Sequence, residues 1–140
     1  MPTNASYDYA IVRVVPRVER GECVNAGVIL FSRVRRYLAA KVELDESRVL
    51  ALDPFIDLGL VRRSLEAIPR IAAGEPGAGP IAALSQAERF HWLTAPRSTI
   101  IQVSPVHSGT GDDLDRELER LMDELVRPPA PAEPHASGGP

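Results

Sequence analysis

With one cysteine, Cys23, and one lysine, Lys41, the chain is poor in two residue types that carry much of protein chemistry. A lone cysteine excludes an internal disulfide and a four-cysteine zinc site. Aromatic residues are only 5% of the chain, too few for a ladder of rings on which nucleic-acid bases could stack. No apolar run approaches the roughly 20 residues needed to span a bilayer. Met1 to Ser6 lack the basic-then-apolar pattern of a signal peptide. A reducing, cytoplasmic location is the expectation, with no membrane role. Positive charge is not in surplus either. The formal net charge of −3 argues against a protein whose business is neutralising phosphates, so nucleic acid is not the expected partner. His91, His107 and His135 show no metal-ligand spacing, and neither a metal nor a cofactor is expected.

What is present is ordinary globular material. At 140 residues, 44% apolar and 25% charged, the chain is one domain's worth with enough apolar surface for a core. Tyr7–Val15 and Cys23–Phe31 are rich in Val, Ile and Tyr, and 38–44 alternates apolar with polar, so three strands are predicted. Short turn-like links, Pro16 to Glu22 and Ser32 to Tyr37, favour an antiparallel meander. With Val15 opposite Cys23, Arg13 faces Asn25, Ile11 faces Gly27 and Tyr9 faces Ile29. With Leu30 opposite Ala40, Val28 faces Val42 and Ala26 faces Leu44. One sheet face then holds Val12, Val14, Val24, Val28, Leu30, Leu38, Val42 and Leu44. The other mixes Arg13, Asn25, Lys41 and Glu43 with Tyr9, Ile11, Ile29 and Phe31.

Leu58, Val61, Leu65, Ile68 and Ala72 form a helical stripe suited to cover the apolar face. The start is signalled twice, by Asp53 before Pro54 and by Asp57; Pro69 should bend or end the helix. A short helix over 80–91 is weakly signalled. Residues 98–106 read as a fourth strand, and Ser108-Gly109-Thr110-Gly111 as a turn into a last helix with its stripe at Leu114, Leu118, Leu121 and Leu125. Thr110 and Asp113 resemble a capping box. The expected organisation is a disordered N-terminus over 1–6, one α+β domain over 7–127 with a small antiparallel sheet of about four strands and two main helices, and a disordered Pro/Ala/Gly-rich tail over 128–140.

The strings Tyr9-Ala10-Ile11-Val12-Arg13-Val14-Val15-Pro16, Arg20-Gly21-Glu22 and Asn25-Ala26-Gly27-Val28 resemble the bacterial family catalogued as domain of unknown function 3037. So do Ala95-Pro96-Arg97-Ser98-Thr99 and Ser104-Pro105-Val106-His107. The resemblance covers 7–127 and brings no catalytic residue with it. It implies a protein partner, a HipA-like kinase. At Cys23 the family pattern calls for an aromatic or larger apolar residue, which argues against a thiol mechanism there.

Candidate ligand- or partner-binding residues are Arg13, Asn25, Arg97, Ser98 and His107. Arg13 beside Asn25 offers a planar fork of donors to an anionic or amide-bearing ligand, or a cross-strand hydrogen bond with Glu43 or Glu22 neutralising the arginine. Gly27 makes room either for a ligand or for the ring of Tyr9 or Tyr7. Arg97-Ser98-Thr99 and His107-Ser108-Gly109 bracket the fourth strand, which holds Ser98 and His107 too far apart for a direct catalytic pair. His91-Trp92 reads as a core-edge anchor or a stacking platform. Asp112, Asp113 and Asp115 at the start of the last helix exclude a phosphate loop at Gly109-Thr110-Gly111.

These readings favour a non-catalytic interaction or accessory module acting with a cytoplasmic protein. The partner would dock on the mixed sheet face or at the edge near Arg97 and His107. The alternatives are an enzyme for a phosphorylated or nucleotide-like substrate, with Arg13, Arg97 and His107 clustered, and then nucleic-acid binding. Homo-oligomerisation is left open.

Overall fold

Branched and aromatic residues drive the first forty positions into three antiparallel strands. In a computed structural model, which describes residues 4–129, these are β1 (Ala5–Val14), β2 (Val24–Ser32) and β3 (Tyr37–Val42). A short helix α1 (Glu46–Leu52) and the long α2 (Leu58–Ala72) follow. Then come a 3-10 turn over Pro80–Ala83, α3 (Gln86–Leu93), β4 (Ile101–Val103), β5 (His107–Gly111) and α4 (Leu114–Leu125). The class is α+β. One antiparallel sheet runs β3-β2-β1, and the far side of β1 pairs with β4 at one end and β5 at the other.

β1 begins two residues before the expected domain start. Ala5 and Ser6 pair with Gly111 and Thr110, and the Ser6 carbonyl accepts the Ser32 hydroxyl at 2.9 Å. The expected disordered N-terminus is corrected at those positions. The predicted tail falls, from residue 130 onward, outside the described residues.

The main departure from the predicted register is a β-bulge. Arg13 lies opposite Asn25 and Val14 opposite Val24, but Val12 then lies opposite Gly27, leaving Ala26 as the extra residue. From there every pair is shifted by one: Ile11 faces Val28, and Tyr9 faces Leu30. Because side chains alternate, one inserted residue sends the rest of β2 to the other face. Ile29 and Phe31 therefore join Val12, Val14, Val24 and Ala26 under α2 and α3. Val28 and Leu30, predicted for that face, instead pack with Tyr7 against Leu114, Leu118, Leu121 and Met122 of α4. Pairing of β2 with β3 is also offset by one, with Val28 opposite Lys41. Both faces of the sheet are thus covered by helices.

Helix starts follow short acceptors. Asp57, the later of the two alternatives, caps α2 by accepting the Leu60 N–H, and the helix runs three residues past Pro69 before Gly74 takes a positive φ. The weakly signalled helix over 80–91 divides at Ser85, whose reciprocal hydrogen bonds with Glu88 form a capping box and start α3 afresh. At the last helix the cap is Asp113, accepting the Arg116 N–H, and Thr110 belongs to β5.

The predicted fourth strand is two. β4 is short, and residues 108–111, read as a turn, pair with the first half of β1. Ser104 bridges the pieces: its buried hydroxyl accepts the Ile11 N–H at 2.8 Å and donates to the Pro105 carbonyl at 2.8 Å. A side chain thereby supplies an acceptor where the ladder steps from one strand to the next.

Candidate functional site

Among the described residues β4 is an edge strand. Its Ile100 carbonyl accepts from Val15 and its Ser104 N–H donates to Ile11, which fixes the hydrogen-bonding parity of the ladder. In an antiparallel pair alternate residues turn their backbone groups toward the neighbour. Residues 100, 102 and 104 therefore point at β1, and the N–H and C=O groups of Ile101 and Val103 point outward. Thr99 donates its hydroxyl to the Ile101 carbonyl at 2.9 Å, which leaves the outward Ile101 N–H and both outward groups of Val103 as the open edge among the described residues.

The side chains of Ile101 and Val103 face the α2 side, where they line a groove of about 320 Å³. Its other walls are Leu60, Ala67, Ile68 and Ile71 of α2, with Trp92 and Leu93 at the end of α3. Two large apolar side chains on this rim stay open to solvent, Leu60 at 45% and Trp92 at 40%. An open, mostly apolar groove with a few polar groups at one end is the usual form of a binding site. An unpaired strand edge bordering it adds backbone donors and acceptors.

Arg97 sets the polar end. One terminal nitrogen donates at 2.8 Å to the Trp92 carbonyl, in the last turn of α3, which also accepts the Ala95 N–H at 3.4 Å, and the guanidinium lies 4.4 Å from the centre of the Trp92 ring. The arginine thus fixes the tryptophan at the groove mouth. Trp92 was foreseen as an anchor or stacking platform; its position bordering an unpaired edge was not, because edge status depends on where the chain goes after β4.

The other predicted residues are elsewhere. Ser98 is exposed on the loop before β4 and does not line the groove. His107 is opposite Tyr9 on the α4 side of the sheet, with ring centroids 5.4 Å apart. Ser98 precedes the residue opposite Val14, so at least about 17 Å of strand separates it from His107. Arg13 alternates with Val12 and Val14, which face α2, so it too faces α4, beside Asn25 and Gln102. Asn25 donates to the Leu125 carbonyl at 2.9 Å, pinning the end of α4. The sheet therefore stands between Arg97 and the pair Arg13 and His107, and the clustering required by the enzyme reading is not formed.

Neither neutralising partner foreseen for Arg13 serves it. Glu43 accepts from Arg127 at 2.6 Å and Glu22 from Arg20 at 2.7 Å. Gly27 is also explained differently. A Cβ there would sit 2.5 Å from the Lys41 carbonyl oxygen, so the glycine admits the backbone of β3, not a ligand or a tyrosine ring. Room for Tyr7 comes from Gly109, where a Cβ would lie 2.8 Å from the phenol. Among the described residues no group of three or more His, Cys, Asp or Glu could hold a metal ion, and no helix is long and apolar enough to cross a membrane.

A family model described as a protein of unknown function (DUF3037) matches residues 9–126. The chain belongs to that family. The match runs from Tyr9, midway along β1, to Val126, the C-cap of α4, so the DUF3037 unit includes both helical layers and the β4 edge. Within the matched span, Asn25-Ala26-Gly27 is the bulge and Ser104-Pro105 is the step between β4 and β5. No curated protein and no solved structure matches the chain.

Proposed function

We propose that this DUF3037 protein is a non-catalytic accessory module of the cytoplasm that docks a partner protein at the β4 edge. The partner contributes an extended segment that adds as a strand beside Ile101 and Val103 and sends alternate apolar side chains into the groove under α2. The observation that carries this reading is the coincidence of outward backbone groups with an apolar wall made by the same two residues. Strand addition draws affinity from main-chain hydrogen bonds and specificity from pockets for alternate side chains. Trp92 and Leu60 supply the solvent-facing apolar area that such a segment buries.

Nucleic-acid binding has less support. Arg17, Arg20, Arg62, Arg70, Arg120 and Arg127 are each paired with carboxylates, which leaves no continuous basic stripe along them. Family resemblance makes a HipA-like kinase the first partner to try.

The test is affinity purification of the intact protein from its native cells, followed by hydrogen exchange on the recovered complex. A stoichiometric partner that slows exchange of the Ile101 and Val103 amides, and is lost on Trp92→Ala, supports the reading. Recovery of the protein alone at native abundance, or a partner leaving those amides unprotected, overturns it.

A further inference from the structure

On the opposite side of the sheet, and independent of the β4 groove, Arg13 presents a charge with no counterpart. It stands on the central strand, half-buried, and its Nε is fully buried without a hydrogen-bond acceptor. Among the described residues its guanidinium makes no hydrogen bond or ion pair. A buried donor left unmatched is costly, and such exceptions in folded proteins call for an explanation.

No neighbour among the described residues accepts from it. The flanking residues are amides turned by their NH₂ groups toward the Leu125 and Thr99 carbonyls, at 2.9 Å each, and neither amide oxygen accepts from the guanidinium. The acids at the end of α4 are held by other cations. Arg127 takes Glu43, Glu119 and Asp123, and Lys41 also takes Glu119. Glu22 is held by Arg20. The fold thus places a guanidinium among neutral groups and turns the nearby carboxylates to other partners.

We propose that Arg13 is the anchor of a carboxylate-binding site on this face. A guanidinium matches a carboxylate through two parallel N–H···O bonds, and one unaccompanied positive charge suits a monoanion better than a phosphate dianion. From Arg13, β1 leads along the same face through Ile11 to Tyr9, about 13 Å away, where the Tyr9 ring meets His107. Ile11 on that strip is buried, and its open part is the half-buried Tyr9 ring beside the exposed His107. The ligand therefore carries an apolar or aromatic body beside its carboxylate. The carboxylate can belong to a free acid or to an acidic residue of a polypeptide.

The experiment follows the Nε–H resonance of Arg13 in the full-length protein labelled with ¹⁵N-arginine, assigned by its loss in Arg13→Lys. Benzoate, the singly acidic N-acetyl-glutamate N-methylamide, the neutral benzyl alcohol and inorganic phosphate are titrated separately. A saturable shift with benzoate supports a free acid. A shift with the glutamyl derivative alone assigns the carboxylate to a polypeptide and also supports the site. In each case Arg13→Gln binds about tenfold or more weakly with its thermal midpoint unchanged by more than a few degrees. A resonance unmoved by both carboxylates, or moved as far by phosphate or benzyl alcohol, overturns the assignment.

Discussion

The Tyr7 hydroxyl donates to the Glu117 carboxylate at 2.7 Å, tying the first strand to the last helix across 110 residues of sequence. Arg120 holds the same carboxylate at 2.8 Å. Burial, then the hydrogen bond to Glu117, pushes the Tyr7 phenol up to about 12. Tyr37 is raised for the same reasons, with Asp115 as its acceptor at 2.6 Å. A phenol whose pKa is raised by folding stabilises the native state while protonated. That contribution is complete below the ordinary value of 10.0 and disappears as pH climbs through the folded value. Denaturant midpoints should therefore hold to pH 10 and fall between 10 and 12. Tyr7→Phe should cost about 1–2 kcal/mol at neutral pH and shrink that alkaline loss. An alkaline profile identical in wild type and variant would remove Tyr7 as its source.

Ser104→Ala isolates the step between β4 and β5. The substitution leaves the Ile11 N–H, itself buried, without its 2.8 Å acceptor. A buried donor stranded in this way costs about 1–3 kcal/mol, much more than a serine deletion on a surface. The Ile11 amide should also exchange faster with solvent. Loss of stability without faster exchange at Ile11 would place the effect elsewhere.

The same stretch shows why part of the fold is legible and part is not. β1 to β3, α2 and α4 each announce themselves, because period-2 or period-3.6 patterning is a local property of the residues that form them. The bulge at Ala26 is not announced. Nothing in Asn25-Ala26-Gly27 says that two residues oppose one, and the error propagates to Val28, Leu30, Ile29 and Phe31, all apolar and able to serve either face. β5 is invisible for a related reason: His107-Ser108-Gly109-Thr110-Gly111 has turn composition and becomes a strand because β1 offers it backbone partners and Tyr7 needs the space at Gly109. For the candidate site, chemistry was readable and location was not. Arg13 opposite Asn25 followed from alternation; the sheet dividing Arg97 from His107 needed the path of the chain after α3.

Gly27 and Gly109 should differ in tolerance. At Gly27 a methyl group meets backbone, the Lys41 carbonyl oxygen at 2.5 Å and the Val42 Cα at 3.3 Å, and backbone in mid-sheet has nowhere to go. At Gly109 the obstacle is the far end of the Tyr7 side chain at 2.8 Å, which can tilt. Gly27→Ala should therefore cost at least about 2 kcal/mol, toward the upper part of the overpacking range, and Gly109→Ala less. Tyr7→Phe should relieve Gly109→Ala only in part, since the ring remains, and should leave Gly27→Ala unchanged, because no part of Tyr7 meets that position. Equal thermal shifts for the two would mean the β2–β3 contact is looser than the geometry requires.

Trp92 is the single tryptophan of the chain and stands at the groove mouth, so it reports on that site without labelling. Arg97 stacks on it at 4.4 Å while capping the end of α3. Arg97→Ala removes the stack and the cap, together with longer contacts to the Leu93 and Ala95 carbonyls at 3.4 and 3.5 Å. Stack and cap are each worth roughly 0.5–1 kcal/mol at an exposed site, so the variant should fold with a modest loss and a redder, more easily quenched Trp92 emission. Arg97→Lys keeps the charge but loses the planar stack, and should fall between the two. Occupation of the groove acts in the opposite direction: a strand laid against Ile101 and Val103 covers the indole, moving emission to the blue and shielding it from acrylamide. Partner binding with unaltered Trp92 emission and quenching would place the contact away from β4, whatever its affinity.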